Sequence, residues 1–126
     1  MAPCIAVVDD EASVRTMLGR VLRLAEYEVA SFASGEEFLA SLAKRVPACV
    51  ILDVHMPGLS GLDVQCRLRA AHADVPAVFI TASDEPGLYK RVLEARGVTL
   101  LRKPFASAQL LGAVTVALRS RTPEAS

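Results

Sequence analysis

The chain predicts an α/β fold, a doubly wound five-stranded parallel sheet in the order 2-1-3-4-5 with helices on both faces. Three observations carry this expectation. Short apolar runs that stop at polar residues alternate five times with stretches of helical periodicity. The connections are too long for hairpins, so successive strands cross over and run parallel. Right-handed crossovers with one reversal of winding then close the sheet with both faces covered. A length of 126 residues supports one core and one domain. That domain is assigned to residues 1–120, with 121–126 as a flexible, small and polar tail.

Ile5-Ala6-Val7-Val8 reads as the first strand, buried on both faces and ended by Asp9-Asp10-Glu11. From Ala12 to Ala25 the residues Val14, Met17, Leu18, Val21 and Leu22 recur at helical spacing. Glu28 to Phe32 forms a second, weaker strand. Ser34-Gly35-Glu36-Glu37 then has the form of a capping box for a helix that stops before Pro47. The third strand, Cys49 to Asp53, is an apolar run cut off by one carboxylate and followed at once by a Pro/Gly-rich loop. Ser60 caps a helix to about Ala71. Ala77 to Thr81 is the fourth strand, and Pro86 opens a short helix carrying Leu88, Val92 and Leu93. Val98 to Leu101 is the last strand, and Ser107 caps the final helix.

Composition removes several function classes. Hydrophobic residues make up 52% and charged residues 22%, which excludes disorder. Fourteen basic residues balance fourteen acidic ones, without a basic run, so direct nucleic-acid binding is not expected. No apolar run approaches the ~20 residues that span a bilayer, and the start lacks the cationic segment of a signal peptide. Cys4, Cys49 and Cys66 have no metal-ligand spacing. They read as reduced, buried thiols of a cytoplasmic protein.

The chemistry lies at the strand tips. All tips of a parallel sheet share one edge, where ligands of open α/β sheets bind. Here the tips carry Asp9 and Asp10, Asp53, Thr81 and Lys103. Three carboxylates gathered there repel one another and call for a cation. An oxygen-only, incomplete ligand set suits Mg²⁺, with Mn²⁺ as an acceptable substitute. Lys103 offers a positive charge and Thr81 a hydroxyl to a phosphate. Asp53 has no partner on its own strand and reads as the nucleophile of a phosphoryl transfer. His55 reads as a loop residue at the rim of the site, and His72 as plain surface.

Val7-Val8-Asp9-Asp10-Glu11, Leu52-Asp53-Val54-His55-Met56-Pro57-Gly58-Leu59-Ser60-Gly61, Thr81-Ala82 and Lys103-Pro104-Phe105 together resemble the receiver domain of two-component response regulators, a flavodoxin-like fold. The resemblance covers essentially the whole chain. It implies that Asp53 takes a phosphoryl group from a phosphohistidine on a sensor kinase or a phosphotransfer protein. It implies Mg²⁺ held by Asp10, Asp53 and the His55 backbone carbonyl, with Asp9 acting through water. It implies Thr81 and Lys103 on the phosphoryl oxygens, and a cis peptide before Pro104. It implies, too, that His55 and Ser83 set the lifetime of the phosphoryl group. The output implied is a switched protein–protein contact, including a phosphorylation-dependent homodimer, for which Leu88, Tyr89, Val92, Leu100 and Leu111 are candidate surface residues. Ser34-Gly35-Glu36-Glu37-Phe38-Leu39 resembles the subgroup whose fuller members carry a helix-turn-helix output domain.

Two departures stand out. Leu100 occupies the position where the family usually has a switch aromatic, and Arg96-Gly97 stands where Gly-Ala is common. Three rival readings are an aspartate-nucleophile phosphatase, a flavodoxin-like FMN module and a phosphorylation-independent adaptor. The phosphatase wants an acid where His55 stands. Asp9-Asp10-Glu11 would repel an FMN phosphate.

Overall fold

The computed structural model describes residues 2–120; the tail expected over 121–126 lies outside them. The elements are β1 (Cys4–Val8), α1 (Ala12–Leu24), β2 (Glu28–Phe32), α2 (Gly35–Ser41), β3 (Cys49–Asp53), α3 (Gly61–Ala70), β4 (Ala77–Thr81), α4 (Leu88–Glu94), β5 (Thr99–Arg102) and α5 (Ser107–Ser120). The sheet is parallel throughout, in the order β2-β1-β3-β4-β5.

Every residue of β1, β3 and β4 is buried, as strands covered on both faces must be. Alternation sorts their side chains into two cores. Ala6, Val8, Val50, Leu52 and Phe79 meet Phe38, Val64, Leu68, Leu88 and Val92 from α2, α3 and α4. Ile5, Val7, Ile51, Val78 and Ile80 meet Leu18, Leu22, Leu110 and Val114 from α1 and α5. Each face therefore has its own apolar layer. The edge strands β2 and β5 are only partly covered.

The helix ends refine the sequence reading. Ser60 and Asp63 form a complete capping box, with reciprocal bonds of 3.1 and 3.0 Å. Ser34 accepts from the Glu37 amide at 3.2 Å, which is half of such a box. Pro86 precedes the start of α4, and Gly87 supplies the cap with a left-handed φ of 82°. Ser107 is the first residue of α5 rather than its cap; the Gln109 side chain instead accepts from the Ala106 amide at 2.8 Å.

Several surface assignments change. Leu88 and Val92 belong to the core, Leu100 and Leu111 are half-buried, and only Tyr89 of that set is well exposed. Cys4 and Cys49 are buried as expected, but Cys66 lies on the outer face of α3 and is exposed. Arg96 adopts a φ of 63° at the end of α4. Gly97, next along, has no room for a side chain, because a Cβ would lie 2.7 Å from both the Phe79 ring and Val92.

Candidate functional site

Strand register brings the predicted residues to one edge. Val8 pairs with Leu52, Asp53 with Ile80, and Thr81 with Arg102. Asp9 therefore emerges beside Asp53, and Lys103 beside Thr81. Asp9, Asp10 and Asp53 each offer a carboxylate oxygen, all within 4.8 Å of one another. Asp9 and Asp53 are buried while Asp10 is exposed. Beside them opens a cavity of about 490 Å³, lined by Asp10, Glu11, Asp53, His55, Ser83 and Lys103.

Lys103 is the positive centre of this cluster. Its Nζ lies 3.0 Å from Asp9 Oδ2, 3.5 Å from Glu11 Oε1 and 3.7 Å from Asp53 Oδ2. Burial by itself would lower the Lys103 pKa. The bond to Asp9 and the charges of Asp53, Asp9 and Glu11 outweigh it and raise the pKa. Asp53 moves the other way from an ordinary carboxylate need. Burial and then the Asp9 charge push its pKa up to about 6, against the opposing pull of Lys103 and of the His55 amide, with Asp10 adding to the rise.

Local structure fixes each group. Asp9 Oδ1 accepts from the Glu11 amide at 2.9 Å, and Arg15 donates to the Asp9 carbonyl at 2.7 Å. Asp53 Oδ1 faces the His55 amide at 3.4 Å. Thr81 is buried, and its Oγ1 accepts from the Ser83 amide at 3.0 Å, which leaves the hydroxyl proton free to donate elsewhere. The Lys103 amide donates to the Thr81 carbonyl at 2.7 Å. The peptide between Lys103 and Pro104 is cis. His55 and Ser83 both line the cavity from different loops, with His55 Nε2 3.7 Å from Glu85 Oε1. Leu100 is not at the cavity; it packs against the core on the α2–α3–α4 side.

Two contributors were missed by sequence reasoning. Glu11 reaches Lys103 and lines the cavity; its signal was the third acid of Asp9-Asp10-Glu11, read only as part of the motif. Gly61 packs so tightly under the β3 tip that a Cβ there would strike the Asp53 carbonyl oxygen. Its amide also donates to the Val54 carbonyl at 3.0 Å. Gly61 closes the Leu52–Gly61 motif, but the motif alone gives it no role.

The donor set fits a hard divalent cation: three converging carboxylates, no imidazole or thiolate, and one face open to solvent. The site thus belongs to a doubly wound α/β domain that collects acids, a hydroxyl and a lysine at its switch point. The chain belongs to the response regulator receiver domain family, whose model matches residues 5–115. It is 38% identical over 113 residues to nodulation protein W of Bradyrhizobium diazoefficiens, covering 90% of this chain and 50% of that protein. It is 38% identical over 120 residues to the transcriptional regulatory protein PrrA of Mycobacterium tuberculosis, covering 95% and 52%. The chain thus spans about half the length of these relatives. Among solved structures, a response regulator receiver protein from Burkholderia phymatum is 42% identical with a TM-score of 0.83, covering 93% of this chain and 95% of that one. The chemotaxis protein CheY4 of Vibrio cholerae is 28% identical with a TM-score of 0.87, covering 94% and 100%. Among the described residues no helix is long and apolar enough to cross a membrane.

Proposed function

We propose that this domain is the phosphoacceptor of a two-component phosphorelay, taking a phosphoryl group from a phosphohistidine onto Asp53. The observation that carries the reading is the gathering of Asp9, Asp10 and Asp53 within 4.8 Å, with Lys103 in ion-pair range of Asp53. With its pKa at about 6, Asp53 is mostly ionised at neutral pH and available as a nucleophile. One carboxylate oxygen attacks phosphorus; the new P–O bond forms as the N–P bond breaks, and its electron pair stays on the departing imidazole. Lys103 takes one phosphoryl oxygen as a charge partner, and Thr81 donates its free hydroxyl proton to another. Glu11 and Asp9 hold the Lys103 ammonium at the edge of the cavity until then.

Asp10, Asp53 and the His55 carbonyl would hold Mg²⁺, with Asp9 assisting through water. The ion supplies charge neutralisation for the transferring group. The donors are a sensor histidine kinase or a histidine phosphotransfer protein in the cytoplasm. Phosphorylation replaces the single charge of the Asp53 carboxylate with the roughly −2 of an acyl phosphate, a net gain of about one negative charge, and biases an equilibrium between two surface conformations. The output is a protein contact, including a homodimer or an attached helix-turn-helix domain. The domain assists its own phosphorylation without acting as a multiple-turnover enzyme.

Incubation with acetyl phosphate and Mg²⁺ tests the reading by intact mass. One stoichiometric phosphoryl adduct that disappears in Asp53→Asn is expected. No adduct would instead assign the domain as a phosphorylation-independent adaptor, and sustained turnover of the phosphate donor would assign it as a phosphatase.

A further inference from the structure

A second cavity lies between α2 and the β1–β2 edge of the sheet, and it shares no lining residue with the Asp53 cavity. Its origin is a local shortage of side-chain volume. Ala6 and Ala30 are register partners on neighbouring strands and both line it. The seven-residue α2 ends at Ser41, and the chain returns toward β3 through Lys44, Arg45 and Pro47, which cross the opening. The result is a hole of about 140 Å³. An apolar cavity of ~150 Å³ accepts a benzene ring.

The walls have a directional chemistry. Phe32 and Phe38 line one side, with ring centroids 5.6 Å apart and planes tilted by 60°. Buried Cys4 also lines the cavity, and burial pushes its thiol pKa up. Lys44 and Arg45 are exposed and line the opening. Arg45 uses Nη2 on Glu28 at 2.6 Å, while a guanidinium has five N–H donors. Two cations thus stand against one acid at the opening. An apolar slot sized for one ring and a cationic opening together select a flat apolar acid over a neutral hydrocarbon.

We propose that this cavity is a binding site for a monocyclic aromatic carboxylate, the ring seated over Ala6 and Ala30 against the edge of the Phe32–Phe38 pair and the carboxylate turned to Arg45 and Lys44. The assignment is independent of the role of Asp53. A ligand of this size binds with a dissociation constant on the order of 1 mM.

The test is a titration of the unphosphorylated chain with benzoate, with benzamide as the neutral isostere, followed by amide chemical shifts in ¹H–¹⁵N spectra. Saturable shifts centred on Ala6, Ala30, Phe38 and Arg45 are expected, with benzoate binding at least ~3-fold tighter than benzamide, the scale of one exposed charge contact. Replacing both cations together, Lys44→Gln with Arg45→Gln, should remove that preference. Ala30→Leu, which fills the slot, should abolish both; if it fails to fold, Ala6→Val serves the same purpose. Absence of saturable shifts, or binding that survives the filling variant, overturns the site. Equal affinity for benzoate and benzamide overturns the carboxylate.

Discussion

Lys103 Nζ stands 3.0 Å from Asp9 Oδ2, although 94 positions separate the two residues in sequence. Asp9 is fully buried, and Lys103 is the cation paired with it. Removing one member of a buried pair leaves the other uncompensated, which costs ~3–5 kcal/mol. Lys103→Met should therefore destabilise the Mg²⁺-free protein by about 2–4 kcal/mol in denaturant melts, the lower figure reflecting the open side of the site. Because the folded Lys103 pKa is raised, its contribution is fully present below the ordinary lysine value and is lost as pH rises through the folded one. The gap between wild type and variant should be flat from pH 7 to about pH 10 and close only above that.

Asp53 supplies the opposite sign. Its pKa of about 6 against a usual 3.8 means that folding penalises the ionised form. The penalty is absent below the unfolded value, grows as pH rises between the two, and is complete above the folded one. Asp53→Asn should thus stabilise the Mg²⁺-free domain by about 2 kcal/mol at pH 7, after allowance for the open cavity. At pH 4 the advantage should be nearly gone. Urea midpoints at pH 4, 5, 6 and 7 measure it.

Asp10 is the exposed member of the acid cluster, so its removal should spare the fold. Asp10→Asn should change stability by less than ~0.5 kcal/mol while weakening Mg²⁺ binding at least tenfold by calorimetry. For wild type, Mg²⁺ at a hundred times its dissociation constant should add ~2.7 kcal/mol to stability; the variant should gain little at the same concentration.

Gly61 and Gly112 form a matched pair. A Cβ at Gly61 collides with the Asp53 main chain, whereas at Gly112, within α5, it meets nothing within 4 Å. Gly61→Ala should cost ~1–3 kcal/mol and slow phosphorylation by acetyl phosphate, because the strand tip must move. Gly112→Ala should instead stabilise by ~0.5–1 kcal/mol and leave phosphorylation unchanged. Thermal melts and intact-mass time courses on the two variants read both effects.

The sheet was legible because β1, β3 and β4 are buried on both faces, and such strands must be written as unbroken apolar runs. The tips were legible for a complementary reason: a polar residue that ends a buried run is held in place by everything before it. Edges were harder. The last strand was expected at Val98–Leu101, but Arg102 extends it by pairing with Thr81, and a charged residue on an edge strand gives no apolar signal. Leu88, Val92, Leu100 and Leu111 could not be sorted into core and surface from a seven-residue helix and an edge strand. Leu88 and Val92 are core because Gly97 lets α4 lie directly on Phe79. Cys66 reads as apolar in sequence, yet the α3 turn places it outward. Gly61 stands in the motif that follows β3, but its contact with the Asp53 main chain shows only once the chain is folded.

The main-chain bond from Lys103 to the Thr81 carbonyl, at 2.7 Å, ties the domain's hydroxyl and ammonium to a common hinge. The backbone at the tip of β4 therefore cannot shift without carrying the Lys103 backbone with it. A displacement of the β4 tip would thereby reach the outermost strand, whose rim carries Leu100 and Arg102.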